Sequence, residues 1–279
     1  MRAVRKLVIV MSALAAFVLS GTLGSRARAQ GSQRPIAEPH IHQEAPVPDK
    51  LIVFTFDDST KSHAAYVAPR LKKLGFGGTF FITEGFDFPT NKTNYMTWEE
   101  IARLHNMGFE IGNHTAKHAN AAQQTREALT ADLELIERRC AAHGLPRPVS
   151  FAYPGNETGG IVVEVLRERG YRFARRGGAP AFSYEGGQGI AFDPRKQDPL
   201  SIPSAGDARP AWKLEDFVRA VSQAKDGKIA VLQFHGVPDR EHPWVSTEPE
   251  QFERYLSYLK DNGYTVMALR DVAKYLGRP

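Results

Sequence analysis

Residues 51–58 of the sequence are Leu-Ile-Val-Phe-Thr-Phe-Asp-Asp, an apolar, strand-like run that ends in two adjacent acids. Further apolar runs follow at residues 78–82, 109–112, 149–153, 173–174, 229–234 and 265–269, and helical patterns lie at 98–107, 127–143 and 249–262. Alternating strands and helices predict a mainly parallel sheet, either closed into a barrel or doubly wound. In a barrel, reactive groups gather at the carboxyl ends of the strands, and the candidate reactive residues do follow these apolar runs.

The first 29 residues have the pattern of a secretory signal peptide. Residues 1–6 are positively charged, residues 7–19 form an apolar run, and residues 27–29 (Ala-Arg-Ala) are a small-x-small cleavage motif. The apolar run is shorter than the roughly 20 residues that a spanning helix needs. We therefore expect cleavage after Ala29, export to a periplasm or to the exterior, and no membrane span after cleavage; a retained anchor is the alternative.

Removal of residues 1–29 also changes the charge of the protein. The whole chain has 36 Lys and Arg against 31 Asp and Glu, a net charge of +5. Five of the basic residues and none of the acids lie in the signal, which leaves 31 against 31. The neutral mature chain gives no support for nucleic-acid binding, because that function needs a basic surface.

Residues 30–47 are rich in Gly, Ser, Gln and Pro and predict a flexible linker, in which His40 and His42 are interpreted as solvated. Residues 48–279 are expected to form a single catalytic domain, since this length is sufficient for one core. The single cysteine, Cys140, excludes an internal disulfide and fits a small core position on a helix. The sequence does not indicate an oligomeric state.

Two histidines and two acids form a candidate metal site. His114 and His118 follow the third strand at i and i+4, which places both imidazoles on one side of a helical turn, within reach of one cation. One carboxylate of the Asp57-Asp58 pair would complete three protein ligands, the usual number in catalytic zinc sites, and the other could act as a base. Solvated or capping roles are the alternative for either motif alone.

His235 follows the apolar run at 229–234, at the same end of the predicted sheet as the acids. A lone histidine after a strand is usually structural. An imidazole titrates near neutral pH, however, so a histidine near a metal and a base is the natural candidate for a general acid.

These motifs together resemble the polysaccharide deacetylases of carbohydrate esterase family 4, which contain the NodB homology domain. The resemblance covers about residues 50–279. It rests on the stretches Thr55-Phe56-Asp57-Asp58, Gly78-Thr79-Phe80-Phe81, His114-Thr115-Ala116-Lys117-His118, Phe151-Ala152-Tyr153-Pro154-Gly155 and Leu232-Gln233-Phe234-His235. The fold that this resemblance implies is a distorted (β/α)7 barrel.

The resemblance also implies an activity: removal of N-acetyl groups from an N-acetylated polysaccharide of the N-acetylglucosamine type by metal-activated water. Peptidoglycan, chitin-like chains and exopolysaccharide are all candidate polymers. The divalent metal would be zinc, with cobalt or nickel as alternatives. The implied roles are base for Asp57, acid for His235, metal ligands for Asp58, His114 and His118, substrate and oxyanion contacts for Tyr153, Pro154 and Gly155, and an acetyl pocket shaped by Leu232.

Several positions depart from the family pattern. Ser59 stands where the family usually has Gly, and Ala152 lies about where an Arg usually pairs with the base. The Asp and Trp of the fourth motif are not evident between Asp193 and Trp212. The partner of the base is therefore unassigned, with Arg175 and Arg176 as candidates.

Two other functions are consistent with these residues. A carbohydrate-binding pseudoenzyme on the same fold is favoured slightly by the absent third-motif Arg, although a pure binder would not need Asp57 or His235. A hydrolase of small amides or acetyl esters is the other alternative.

Overall fold

A computed structural model describes residues 45–183 and 185–276. Within these residues, nine parallel strands form one sheet. The strands are β1 (Leu51–Phe56), β2 (Thr79–Ile82), β3 (Glu110–Asn113), β4 (Ser150–Ala152), β5 (Phe173–Arg176), β6 (Ile202–Pro203), β7 (Gly206–Asp207), β8 (Ala230–Phe234) and β9 (Thr265–Met267). All seven strand-like runs that the sequence predicts are strands of this sheet.

Helices connect most of the strands. The α-helices in the described residues are α1 (Ala68–Leu74), α2 (Trp98–Asn106), α3 (Arg126–Ala142), α4 (Gly160–Glu168), α5 (Leu214–Val221) and α6 (Pro249–Asp261). Helix α2 begins with a capping box: the Glu100 amide donates to Thr97 Oγ1 at 3.2 Å, and the Thr97 amide donates to Glu100 Oε2 at 2.8 Å. In the part of the chain that the structure covers, no helix combines the length and apolar character needed to cross a bilayer.

The order of the strands shows how the sheet closes. Across the sheet the order is β6-β5-β4-β3-β2-β1-β8-β7, and β9 pairs with β1. Strands β6 and β7 belong to one short segment, residues 202–207, which pairs with β5 at one end and with β8 at the other. This segment, the closing segment, joins the two edges of the sheet, so the chain folds as the distorted (β/α)7 barrel that the resemblance implies.

The alternation of side chains along each strand separates the barrel interior from the outer core. Val53 and Val231 belong to the interior cluster, together with Phe81 of β2. Their neighbours Phe54 and Leu232 belong to the outer core, which the helices cover. Side chains of odd number on β1 and β8 therefore point inward, and that inward face leads to the carboxyl ends of the strands.

The amino end of the barrel is closed by both ends of the domain. Val47 is buried in the interior cluster together with Leu269, Val272 and Tyr275 of a 3-10 helix at Leu269–Tyr275. The packed domain therefore begins before residue 48, and the boundary that composition predicts is too late, because a short Pro-rich segment can still bury one Val. The predicted signal peptide and the linker up to residue 44 lie outside the described residues.

Candidate active site

The backbone turns sharply where β1 ends. The Asp57 amide still donates to Phe234 O at 2.9 Å, so Asp57 continues the strand and points inward. Asp58 and Ser59 then have φ angles of 70° and 58°, in the left-handed region that favours glycine. Ser59 Oγ donates to Thr83 O at 2.8 Å and accepts from the Thr83 amide at 2.9 Å, which offsets the backbone strain. The turn brings both acids to one site although they are adjacent on the chain.

Asp58, His114 and His118 form a compact triangle of potential ligand atoms. Asp58 Oδ1 lies 3.4 Å from His114 Nε2 and 3.1 Å from His118 Nε2, and the two Nε2 atoms are 3.2 Å apart. Ligands about 2.0–2.1 Å from a tetrahedral zinc ion are about 3.3 Å from one another. The three atoms therefore fit one such cation.

The protonation pattern of this triangle also suits a cation. His114 Nδ1 donates to Ala152 O at 2.8 Å, which leaves the lone pair of Nε2 directed at the site. Burial raises the pKa of Asp58, but His114, His118 and His235 outweigh it and hold that pKa well below the usual value. Asp58 Oδ1 is buried and has no hydrogen bond of standard geometry among the described residues. An ionised carboxylate with an oxygen free of hydrogen bonds, together with two imidazoles, is a suitable donor set for a divalent metal.

Asp57 is held from one side by two donors. Arg175 Nη2 donates to Asp57 Oδ2 at 2.5 Å, and Gln233 Nε2 donates to the same oxygen at 3.2 Å. The other oxygen, Oδ1, is buried and accepts no hydrogen bond from the described residues. Asp57 thus has one oxygen fixed by the protein and one that could accept a proton.

Arg175 is therefore the partner of Asp57 that the sequence leaves open between Arg175 and Arg176. Its side chain is fully buried, and Nη1 also donates to Asn156 Oδ1 at 3.3 Å. The next residue, Arg176, points to the other face of β5, where Nε donates to Ser201 Oγ at 3.2 Å. Strand alternation decides between the two candidates in favour of Arg175.

His235 follows β8 and faces an acid on the closing segment. His235 Nδ1 lies 3.6 Å from Asp207 Oδ1, and Asp207 Oδ2 accepts from Arg209 Nη2 at 2.6 Å. Burial raises the pKa of Asp207, although His235, Arg209 and Arg175 oppose the effect. Asp207 lies in the stretch 193–212 where the fourth motif was sought. Sequence reasoning missed it because no apolar run marks the strand that carries it.

The third-motif residues border the same cavity. Tyr153, Gly155 and Asn156 line it, and the Tyr153 hydroxyl donates to Leu200 O at 2.5 Å. Pro154 is buried at the start of a 3-10 turn in which Gly155 has a φ of 71°. Pro154 shapes the turn and is not among the cavity-lining residues.

Leu232 does not reach the cavity, so its expected role in an acetyl pocket is wrong. It is fully buried in the outer core with Phe54, and the cavity is lined instead by its neighbour Gln233. The physical reason is the two-residue period of β8: if His235 faces inward, Gln233 faces inward and Leu232 faces outward.

The cavity has a volume of about 160 Å³ and also contacts side chains from two loops. Phe86 comes from the loop after β2, and His242, Trp244 and Val245 come from the loop after β8. Potential ligand atoms of Asp58, Asp239 and His242 also lie within 4.8 Å of one another.

His63 lies beneath His235 and is fully buried. Its Nε2 donates to His235 O at 3.1 Å, and its ring packs against Phe56 and Phe80. Burial lowers the pKa of His63 from 6.5 to about 4, although the hydrogen bond and nearby carboxylates oppose the shift. The folded protein therefore keeps His63 neutral where the unfolded chain protonates it.

This difference predicts a pH dependence of stability. Between pH 6.5 and pH 4 the unfolded chain binds a proton at His63 that the folded chain does not, so this contribution to stability is lost as the pH falls. Between pH 7 and pH 4.5, the free energy of unfolding should fall by about 2 kcal/mol more in the wild type than in His63→Gln. Urea unfolding of both metal-free proteins at the two pH values measures the difference. Equal losses would show that the pKa of His63 is not depressed in the folded protein.

Comparison with known proteins agrees with the fold. The sequence model described as polysaccharide deacetylase matches residues 44–174, which include both acids, both histidines and the third-motif turn. Residues 44–174 therefore belong to a polysaccharide deacetylase domain of the carbohydrate esterase family 4 type, which contains the NodB homology domain. The chain is 25% identical over 238 residues to a peptidoglycan-N-acetylglucosamine deacetylase of Bacillus cereus, covering 85% of this chain and 94% of that protein.

Solved structures share the fold. The family 4 carbohydrate esterase PdaA of Bacillus subtilis superposes with a TM-score of 0.54 at 21% identity, over 81% of this chain and 82% of that one. A family 4 acetyl xylan esterase from Clostridium thermocellum, in complex with a cobalt ion, superposes with a TM-score of 0.51 at 21% identity, over 80% and 89% of the two chains.

Proposed function

We propose that this protein is an exported, metal-dependent hydrolase that removes N-acetyl groups from a polysaccharide of the N-acetylglucosamine type. The observation that carries the proposal is the triangle of Asp58, His114 and His118 next to Asp57 on one side and His235 on the other. A divalent cation held by the triangle would polarise the acetyl carbonyl and lower the pKa of a bound water. Zinc suits this donor set, and cobalt or nickel are alternatives.

Asp57 and His235 carry out the two proton transfers of the proposed reaction. Asp57, fixed by Arg175 and Gln233, takes a proton from the attacking water through its free oxygen. His235 gives a proton to the departing sugar nitrogen, and Asp207 holds its ring from the other side. Asp57 and His235 reach the triangle from different strands, β1 and β8. This separation suits their proposed roles, because the base acts on the attacking water and the acid acts on the leaving nitrogen.

The third-motif turn supplies a donor for the oxyanion. The Asn156 amide already donates to Tyr153 O at 2.9 Å. The Gly155 amide is therefore the candidate donor at the cavity edge, where a backbone N–H stabilises charge that develops on the acetyl oxygen.

The sequence relative favours peptidoglycan among the candidate polymers. The deacetylase of Bacillus cereus is named for its action on peptidoglycan N-acetylglucosamine, and this chain covers 94% of its length. A polymer outside the cell membrane also agrees with the expected export signal. We therefore propose peptidoglycan as the first substrate to test.

The pseudoenzyme alternative loses its main support. It depended on the absence of the third-motif Arg, and Arg175 reaches Asp57 from β5 instead. Arg175 thus takes the place of the missing third-motif Arg, so the absence of that Arg no longer favours a pure carbohydrate binder.

Metal removal is the direct test of this function. Acetate release from peptidoglycan and from N-acetylchito-oligosaccharides should stop on chelation and return with zinc or cobalt. His118→Ala should lose most of its bound metal, because it removes one of three protein ligands. His143→Ala is the matched control: this histidine lies at the end of α3, where Nδ1 contacts Arg139 O at 2.9 Å, and should keep a full metal equivalent. Full metal content in His118→Ala would rule out the ligand set.

A further inference from the structure

Exposed aromatic side chains are concentrated beside the candidate metal site. Among the described residues, four large apolar side chains are exposed: Phe86 (45%), Ile161 (38%), Phe182 (39%) and Trp244 (62%). Phe86 and Trp244 both line the active-site cavity, although they come from different loops. Exposed apolar surface that borders a polar cavity is typical of ligand recognition.

These two side chains form a continuous wall with His242. The Phe86 ring centre lies 4.6 Å from that of His118 and 4.5 Å from that of His242, and the His242 and Trp244 rings are 5.3 Å apart. We call Phe86, His242 and Trp244 the aromatic wall. It runs from the candidate metal ligand His118 outward to solvent at Trp244.

The inner end of the wall is fixed by its loop. Phe86 has a φ of 56°, a strained value for a residue with a side chain. The preceding residue must be glycine, because a Cβ on Gly85 would lie 2.8 Å from His118 Cβ. The loop after β2 is therefore pressed against the loop that carries His118, and this contact holds the Phe86 ring at the cavity edge.

The middle of the wall is oriented by Asp239. Asp239 Oδ1 accepts from the backbone amides of Glu241 at 3.1 Å and His242 at 2.9 Å, and it lies 3.5 Å from His242 Nδ1. Nδ1 of His242 is thereby directed at the carboxylate. Nε2, on the other side of the ring, is left as the polar atom that a ligand can use.

We propose that the aromatic wall is a sugar-binding subsite, occupied by the unit next to the one whose acetyl group lies at the candidate metal site. The C–H face of a pyranose ring packs on an exposed aromatic face, and its hydroxyl or amide groups need polar partners at the same place. Trp244 supplies the face and His242 supplies the polar atom. The wall begins at His118, so a glycan that places one unit at the metal side extends along it.

The subsite rests on the proposed function for its position, but it can be tested separately by binding. The chain has three Trp residues, and Trp98 and Trp212 are only 8% and 6% exposed. Intrinsic fluorescence of the parent therefore reports mainly on a ligand at Trp244, and isothermal titration calorimetry measures the affinity of the parent and of every variant, including the one that lacks this indole. The titration uses N-acetylchitotetraose with the metal-loaded full chain in the Asp57→Asn background, so that the oligomer is not consumed.

We expect saturable binding that Trp244→Ala weakens about tenfold, since one aromatic stacking contact is worth about that factor. Phe182→Ala is the matched control, because Phe182 is an exposed aromatic residue that does not line the cavity, and it should bind like the parent. In the proteins that retain Asp57, the ratio of kcat/KM for the tetramer to that for the dimer should fall in Trp244→Ala and stay unchanged in Phe182→Ala. His242→Ala should also weaken binding and keep the same metal content.

The outcomes separate the two proposals. Equal affinity of Trp244→Ala and the parent, or no saturable binding at all, would overturn the subsite whatever the acetate assay shows. Trp244-dependent binding without acetate release from any glycan would support the subsite and refute the hydrolase. A second metal equivalent that is lost in His242→Ala would assign His242 and Asp239 to a cation and overturn the role of His242 in sugar binding.

Discussion

Asp57→Asn should keep its metal and lose turnover by about 10²–10⁴-fold, the usual contribution of a general base. Asp58→Asn should lose metal first, and excess metal should partly restore it. The two acids are chemically alike, but their contacts differ. Asp58 Oδ1 lies within 3.4 Å of both imidazole nitrogens, whereas Asp57 Oδ2 is occupied by Arg175 and Gln233. An amide at Asp58 can still coordinate, but without the charge that offsets the cation.

Metal content and acetate release measured on both variants decide the assignment. Loss of metal in Asp57→Asn with retention in Asp58→Asn would reverse the two roles. Unchanged turnover in both variants would contradict the hydrolase proposal and make the pseudoenzyme the better account.

Arg175→Met should be the most destabilising single change at the site. The guanidinium is fully buried and pairs with a buried carboxylate at 2.5 Å. Removing one partner of such a pair leaves an uncompensated buried charge, which costs about 3–5 kcal/mol. Turnover should also fall, because Asp57 would lose the group that orients it. Chemical denaturation and acetate release on the folded fraction measure the two effects.

Two further variants separate charge from packing. Arg176→Met is the matched control: Arg176 is the neighbouring Arg on β5 but is only partly buried, and its side chain bonds to Ser201 and to backbone carbonyls. It should cost about 1 kcal/mol or less. The double variant Arg175→Met with Asp57→Asn should recover much of the lost stability, because no unpaired charge remains. A double variant as unstable as Arg175→Met alone would mean that Arg175 acts through packing.

The sequence predicts the alternating strands and helices and the candidate metal ligands because both depend on local patterns, whereas the choice of a barrel over a doubly wound sheet comes from the family resemblance. The apolar runs at 51–56 and 229–234 end directly before Asp57 and His235, and the i, i+4 spacing of His114 and His118 needs no tertiary information. Leu232 was misassigned although the signal was present: the period of a strand, counted back from His235, selects Gln233.

The partners of the proposed base and the proposed acid, Arg175 and Asp207, are set by tertiary contacts that no local sequence pattern indicates. Arg175 reaches Asp57 across 118 positions of sequence, and only the closing of the barrel brings them together. Asp207 lies on a two-residue strand in a segment with almost no apolar periodicity. Such a strand is held by its neighbours on both edges, so its own sequence gives little sign of it.

The ion pair of Arg175 and Asp57 joins β5 to β1 through the interior, and in the strand order these two elements lie on opposite sides of the ring. The pair therefore links opposite sides of the barrel in addition to the role proposed for it in the reaction. Thermostability engineering often replaces a buried ion pair by apolar side chains of similar volume, and cores can become more stable by this exchange. In this protein that exchange would remove the proposed base, so engineering for heat tolerance should leave this pair intact and improve surface loops, helix ends or charge networks instead.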